Sequence, residues 1–312
     1  MTLLAEYALT PDVFDSRSYS NEELGSVHLQ HLKEALLNEA LVRNLRNGQW
    51  LDVFNDNDRP WHRRGKELLK KLVQQGRLRL CNSVLSDEPT TDHAWCREAL
   101  ASHHSLPLNG IVATRVVASR FQDEPLVARI DRLPSASWWA RRSSSVRLAR
   151  TAAEYTRHLH LLLKCANSIM FIDPHIDPTR RRYSDFIQLL REMSGRTPAP
   201  LIEIHRVCYF ESRNKRDQLN EEEWKRMFSP WSADLQSVGL AVHVFIWDDF
   251  HDRYVISNLV GISVPNGFDT TQDPNQMTTW TRLGRNERDD IQREFDPASN
   301  RHTLRHRFRV PG

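Results

Sequence analysis

The stretch that decides the fold is SIMFIDPHI at positions 168–176. It is a continuous apolar run that ends in Asp-Pro, a pattern typical of a strand buried on both faces. Two further strands are predicted, LIEIHRV at 201–207 and LAVHVFIWD at 240–248. Helical patterns at 180–194 and 220–238 separate the three. Because strands and helices alternate, the sequence predicts an α/β fold with a mostly parallel, buried sheet.

The pattern extends in both directions from these strands. A helix is predicted at 151–166, and strands follow at 250–258 and 260–264. The short connection at 248–249 predicts a hairpin at the end of the sheet. The tail NRHTLRHRFR at 300–309 fits either a final strand with a basic outer face or a mobile phosphate-binding arm.

The first part of the chain predicts a helix-rich α/β region. We expect helices at 20–48, 61–75 and 92–104, a strand at 77–82 and a β-rich segment at 110–130. The helix at 20–48 should be capped by Ser20, with Glu23 at capping-box distance. A break at 135–150 divides the chain into two predicted domains, 1–140 and 150–312.

Composition excludes several classes of protein. With 312 residues, 39% of them hydrophobic, the chain can build about two folded domains. Its apolar runs are far shorter than the ~20 residues that span a bilayer, and its N-terminus lacks the pattern of a signal peptide. We therefore expect a cytoplasmic protein whose four cysteines are free thiols. The net charge is only +3, but 36 of the 43 basic residues are arginine, which suits phosphate recognition or reflects a GC-rich genome.

The residues that carry chemistry are in FHDRYVISN at 250–258. If this segment is a strand, His251 and Arg253 project from the same face. An imidazole beside a guanidinium is suited to phosphate: the histidine can act as a nucleophile, acid or base, and the arginine can hold phosphate oxygens. The alternative is a structural pair bonded to carbonyls and to the carboxylates of Asp248 and Asp249.

This combination resembles one half of a phospholipase D-like domain. That superfamily carries the pattern H-x-K-x-x-x-x-D, in which His251 matches the histidine, Arg253 replaces the lysine and Asn258 replaces the aspartate. The resemblance implies a phospholipase D-like α/β sandwich over 150–312. It also implies phosphodiester chemistry that needs neither metal nor cofactor and that combines two such motifs. One motif per chain then implies a homodimer or a site without turnover.

The text HDRYVIS followed by PNGFD is similar to a variant branch of that superfamily, found in MIT-domain-associated C-terminal domains and in prokaryotic anti-phage defence modules. The resemblance implies a phosphate-binding protein acting on nucleic acid, as a metal-independent phosphodiesterase or nuclease. The alternative is a non-catalytic nucleic-acid-binding or scaffold subunit of a multi-protein defence complex. Binding of anionic lipid is a third reading.

Two arginine clusters are candidate phosphate contacts. Arg180, Arg181 and Arg182 could contact a nucleic-acid backbone or form a solvated helix face. Arg141 and Arg142 follow Trp138 and Trp139. The two tryptophans could stack on bases or pack in a seam between domains.

Two histidines complete the candidates. His175 lies between Asp173 and Asp177, a set that could hold a hard metal ion, although such corners more often cap the next helix. His205 lies two residues after Glu203 on a strand, so the two side chains share a face. A satisfied buried pair is the interpretation we favour there.

Overall fold

The computed structural model describes residues 3–209, 219–273 and 275–312. The chain folds into two compact units, one from Leu4 to Arg142 and the other from Ser143 to Gly312 together with Leu3. Four free cysteines are present, two of them buried. Among the described residues, no helix combines the length and apolarity needed to cross a bilayer.

The first unit is built on a five-stranded, all-parallel sheet with the strand order β3-β2-β1-β4-β5. Its elements are β1 (Ala5–Leu9), α1 (Glu22–Glu39), β2 (Ala40–Asn44), α2 (Gln49–Asp52), α3 (Arg63–Gln74), β3 (Leu78–Leu80), α4 (Asp92–Ser105), β4 (Gly110–Ala113), α5 (Arg115–Ala118), β5 (Val127–Arg129) and α6 (Ser137–Ala140). Helices join successive strands, which is the usual construction of a parallel sheet.

The predicted helix over 20–48 is wrong at both ends. Its cap is Asn21, whose side chain accepts a hydrogen bond from the Leu24 backbone N–H, rather than Ser20. The helix stops at Glu39, and the chain continues at once as β2. All five residues of β2 are buried, so its sequence lacks the polar–apolar alternation that marks a half-exposed strand. The central strand β1 was not predicted, for the same reason.

A buried ion pair joins β1 and β2, the two strands that were not predicted from the sequence. The guanidinium of Arg43 donates two hydrogen bonds to the Glu6 carboxylate, each 2.9 Å long, and both side chains have no exposed surface. Arg79 adds a third bond to Glu6 at 2.8 Å. Arg43 also donates to the carbonyls of Ser102 and Leu106, so it connects the sheet to the end of α4.

The described part of the second unit builds an eight-stranded sheet with the order β13-β9-β8-β7-β10-β11-β12-β6. Its elements are β6 (Ser145–Ala149), α7 (Ala152–Cys165), β7 (Ser168–Ile172), α8 (Phe186–Arg191), β8 (Leu201–Val207), α9 (Glu221–Phe228), α10 (Ser232–Ser237), β9 (Val242–Trp247), β10 (Tyr254–Ser257), β11 (Gly261–Ser263), β12 (Met277–Arg282), α11 (Arg285–Glu294) and β13 (Leu304–Val310). The α/β prediction is confirmed. The sheet is mixed, since only β7, β8 and β9 run parallel to one another.

The predicted hairpin at 248–249 is wrong. β9 pairs with β8 and with the C-terminal strand β13, whereas β10 pairs with β7 and β11. The chain therefore leaves β9 and crosses β8 and β7 before it enters β10. Of the two interpretations of the tail, the structure has the strand, because β13 runs antiparallel to β9 along the edge of the sheet.

Side chains of β7 show how the sheet is covered on both faces. Phe171 packs edge-on against Phe186 of α8. Its neighbours Met170 and Ile172 point the other way, into a core cluster that includes Ile291 of α11. Because successive residues of a strand face opposite sides, α8 and α11 lie on opposite faces of this sheet. The second unit is thus an α/β sandwich.

Candidate functional site

The site is at the edge where the parallel strands β7, β8 and β9 end, which we call the carboxyl edge. Ligands of α/β sheets commonly bind at this edge. Asp173 directly follows β7 and has no exposed surface. Its carboxylate accepts hydrogen bonds from the backbone N–H groups of His175 and Phe268, at 2.9 and 3.0 Å, and from the Tyr183 hydroxyl. Burial raises the pKa of the Asp173 carboxyl, while these N–H groups and Arg253 act in the opposite direction.

Gly267 of the PNGFD loop closes over this carboxylate. Its φ is +66°, in the left-handed region that favours glycine. A Cβ at this position would lie 2.1 Å from Oδ2 of Asp173. Only glycine therefore allows the loop to approach closely enough for the Phe268 N–H to reach the carboxylate.

Arg253 is held beside Asp173 by weak contacts from three directions. Its Nε lies 3.7 Å from Oδ1 of Asp173, and its Nη1 donates to the carbonyls of His251 and Pro265 at 3.4 Å each. The backbone carbonyl of Arg253 accepts a hydrogen bond from Val264. Its side chain keeps 28% of its surface exposed, and none of these contacts uses Nη2. The guanidinium is thus oriented but still open to an anion.

The predicted strand placement of His251 and Arg253 is wrong. β10 begins at Tyr254, which pairs with Ile172 of β7, so both residues precede the strand. The shared-face argument therefore does not apply. His251 and Asp252 are exposed, and the contact between His251 and Arg253 is through the His251 carbonyl. The chain is irregular here because it has just crossed the ends of two strands.

Asn258 lies at the opposite edge of the sheet from Arg253. Its Oδ1 accepts hydrogen bonds from the backbone N–H groups of Asn167 and Ser168, where β7 begins. Since β10 runs antiparallel to β7, the two ends of β10 lie at opposite edges. Asn258 therefore fastens the start of β7 and does not join His251 and Arg253.

The alternative role for His251 and Arg253 was a structural pair bonded to the carboxylates of Asp248 and Asp249. Both carboxylates have other partners. Asp248 binds Arg305 of β13, with Nε at 2.8 Å, and Asp249 accepts a hydrogen bond from the Tyr209 hydroxyl. Arg253 does contact carbonyls, as that interpretation expected, but its carboxylate partner is Asp173.

A buried arginine, Arg206, supports the carboxyl edge and was missed by the sequence analysis. It has 1% exposed surface and donates hydrogen bonds to the carbonyls of Val207, Ile176 and Tyr209. Burial lowers the pKa of Arg206 to about 10, so it remains charged at neutral pH. The signal in the sequence was a charged residue next to the end of a predicted buried strand, which also carries Glu203 and His205.

The three arginines after β7 lie on the same edge. Arg180 and Arg181 are exposed, and Arg180 lies 3.5 Å from Asp177. The backbone carbonyl of Arg182 accepts a hydrogen bond from Thr270, just beyond the PNGFD loop. The structure thus brings this basic segment close to the loop that closes over Asp173.

The tryptophan–arginine cluster belongs to the first unit and divides into two parts. Trp139 is buried in the core, with the Arg142 guanidinium stacked on its ring at 3.5 Å and ion-paired with Glu39. Trp138 is half-buried and Arg141 is exposed. The Arg142 guanidinium is therefore held by contacts within the protein, whereas the Arg141 side chain is accessible to solvent.

His205 is a buried structural residue, as we favoured. Its ring stacks on Phe245 with centroids 4.7 Å apart, and its Nδ1 accepts a hydrogen bond from the Trp247 indole. Its Nε2 lies 3.5 Å from the Glu203 carboxylate. Burial lowers the pKa of His205, which favours the neutral ring. Because Nδ1 accepts the bond from Trp247, the neutral ring carries its proton on Nε2, toward Glu203.

The Asp-Pro corner after β7 is organised by local hydrogen bonds. Asp177 accepts bonds from the backbone N–H and the hydroxyl of Thr179, which form a local turn. The helical segments that follow begin at Arg181 and Phe186 without a side-chain cap, so the predicted capping of the next helix is wrong. Within the described ranges, no group of three or more His, Cys, Asp or Glu residues is arranged to hold a metal ion.

No family model matches the chain. No curated protein matches it either. Among solved structures, it is similar to Nuc, a phospholipase D family member from Salmonella typhimurium, at 9% identity over 52% of this chain and 98% of that one, with a TM-score of 0.33.

Two other solved structures show a similar degree of likeness. One is TrmBL2, an archaeal DNA-binding chromatin protein, at 11% identity over 78% of this chain and 82% of that one, with a TM-score of 0.30. The other is phosphatidylserine synthase from Haemophilus influenzae, at 13% identity over 52% of this chain, which spans 39% of that enzyme, also with a TM-score of 0.30. All three TM-scores are below 0.5, a level of likeness that says nothing about function.

Proposed function

We propose that the carboxyl edge of the second unit binds phosphate groups of a nucleic-acid backbone. The observation that carries this proposal is Arg253, a guanidinium oriented by Asp173 and two carbonyls whose side chain keeps 28% of its surface exposed. Arginine presents paired N–H donors that match phosphate oxygens. The exposed Arg180 and Arg181 on the same edge would extend the contact along the backbone.

Binding without cleavage is the function that the geometry supports best. Superfamily catalysis, as implied by the resemblance, needs an aspartate-type partner and two histidines. Asn258 is at the far edge, and His251 approaches Arg253 through its backbone only. A phosphate-binding subunit of a larger complex requires the guanidinium but neither of those partners.

Replacing Arg253 with alanine should weaken binding to single-stranded DNA or RNA about tenfold at low salt, because one charge-assisted contact is lost. The slope of log affinity against log salt concentration should fall by about one. Fluorescence anisotropy with a labelled 20-nucleotide strand in EDTA measures both quantities.

Arg285→Ala is the matched control. Arg285 opens α11, whose next turn contacts the Asn258 and Leu259 carbonyls through Arg288, so it lies near the opposite edge of the sheet. Arg285→Ala removes the same charge as Arg253→Ala and should leave the affinity for the nucleic-acid strand unchanged. Arg181→Ala tests the edge without disturbing Asp173. Equal affinities for wild type, Arg253→Ala and Arg181→Ala would contradict the proposal.

A metal-independent phosphodiesterase is the second candidate, because His251 is exposed and precedes Arg253 by two residues. It predicts cleavage of DNA or RNA in EDTA by a homodimer, lost by at least 100-fold in His251→Ala. Turnover and molecular mass are measured on the same sample. Cleavage retained in His251→Ala would exclude this histidine as the catalyst.

A role in a prokaryotic defence complex is the context we propose for either activity, following the resemblance to that branch. Anionic lipid is the competing phosphate source. Sedimentation with vesicles of neutral and of anionic lipid separates the two. Binding to anionic vesicles in preference to single-stranded nucleic acid would contradict the nucleic-acid proposal.

A further inference from the structure

We infer that the first unit holds a separate site for a single nucleotide, in a cavity beside Trp138. The cavity has a volume of about 490 Å³, within the usual range for small-ligand sites. The side chains that would read a nucleotide are Trp138, Arg141, His103, His104, Asn109 and Glu124. All of them belong to the unit from Leu4 to Arg142, so the inference does not depend on the function of the carboxyl edge.

The indole of Trp138 is fixed before any ligand binds. A Cβ on Gly110 would lie 2.5 Å from each of three alternate atoms of its six-membered ring, and therefore above the ring centre. The Gly110 backbone thus lies against one face of the indole, while Tyr7 and Trp139 pack nearby, with ring centroids 5.5 and 5.9 Å away. The part of the indole that remains open lines the cavity. A base stacking there meets an aromatic surface that is already ordered.

Arg141 supplies the positive charge. Its Nε donates to the Ser137 carbonyl at 3.0 Å, which positions the guanidinium at the end of α6, three residues from the indole. The side chain is exposed, in contrast to Arg142, which is stacked on Trp139 and paired with Glu39. A guanidinium beside an aromatic ring is the pairing that a nucleotide needs, since it carries a phosphate and a base.

Hydrogen-bonding groups surround the indole with both donors and acceptors. The Nδ1 of His103 accepts a hydrogen bond from the Leu108 N–H, so the neutral ring carries its proton on Nε2. Asn109 accepts a bond from the Glu6 N–H through Oδ1, which leaves its NH₂ as the donor. Glu124 contributes an acceptor. Both kinds of group are needed to recognise the polar edge of a base.

Equilibrium dialysis of the full chain with labelled AMP tests the inference, with adenosine and ribose 5-phosphate as the two halves of the ligand. AMP should bind at least tenfold more tightly than either half. Trp138→Leu should weaken AMP and adenosine about tenfold or more, because a base loses its stacking partner. Arg141→Gln should weaken AMP and leave adenosine unchanged.

Arg132→Gln is the control, since Arg132 is an exposed arginine of the same unit that does not line the cavity. Arg141 is exposed, so Arg141→Gln keeps the test independent of any packing defect in Trp138→Leu. AMP binding that survives in both Trp138→Leu and Arg141→Gln would overturn the inference, as would ribose 5-phosphate binding as tightly as AMP. Displacement of AMP by a 5′-phosphorylated hexanucleotide would identify a strand end as the source, and its failure a free nucleotide. Arg253→Ala should leave AMP binding unchanged, which separates the two sites.

Discussion

Gly267→Ala should destabilise the second unit by about 4 kcal/mol or more. A non-glycine residue at positive φ costs about 1–2 kcal/mol by itself. The added Cβ would also meet the Asp173 carboxylate at 2.1 Å, and this buried group cannot retreat without giving up its bonds to Phe268 and Tyr183. Each buried polar group left unpaired costs a further ~1–3 kcal/mol. Urea denaturation followed by circular dichroism measures the change.

Gly239→Ala provides the comparison for the backbone contribution. Gly239 has nearly the same φ, +69°, but no atom lies within 4 Å of the position of its Cβ. Its substitution should cost only the conformational part, about 1 kcal/mol. If the two variants unfold at the same urea concentration, the loop does not depend on its contact with Asp173.

Glu6→Gln should destabilise the first unit by about 3 kcal/mol or more. The substitution leaves Arg43 without its carboxylate partner in a place with no exposed surface, and breaking one side of a buried pair costs about 3–5 kcal/mol. Arg79 loses its partner as well. The urea midpoint of the first unit is the quantity to measure.

Two further variants show whether the effect arises from the stranded charge. Glu6→Met combined with Arg43→Met removes both charges and should be less destabilising than the sum of the single changes. Glu67→Gln breaks an exposed pair with Arg64 and should leave the midpoint unchanged. If the double variant loses as much stability as the two single variants together, the packing of the side chains, rather than the pairing of their charges, stabilises this part of the core.

Local signals in the sequence located much of the second unit. β8 has the predicted bounds, Thr151 caps α7, and Asn220 begins α9 with a reciprocal capping box. Pro230 lies in the short turn that separates α9 from α10, because a proline kinks or ends a helix. Each of these features depends on residues within about four positions of one another, which is the range over which capping and periodicity act.

The site depends on contacts that no local pattern contains. Asp173 and Gly267 are 94 positions apart, and their match is visible only once β7 and the PNGFD loop are in place. The His251–Arg253 pair was named from the sequence, but its predicted strand was extended four residues too early. Because β10 pairs with β7 and not with β9, the chain first passes β8 and β7, and regular strand pairing begins only at Tyr254. The periodicity of the sequence carries no information about this strand order.

The crossing from β9 to β10 imposes a length requirement on the segment that carries the candidate site. Trp247 and Tyr254 are separated by three inter-strand spacings, about 14 Å across the sheet. Seven extended residue steps cover at most ~25 Å, so the connection has slack of only a few residues. Loss of three residues between them would leave four steps, which cover at most ~14 Å, no more than the crossing itself. A deletion of that size or larger would disturb the strand order before it altered any proposed phosphate contact. His251 and Arg253 therefore lie in a connection whose minimum length is set by the width of the strands it crosses. We expect this connection to tolerate insertions and to be damaged by deletions.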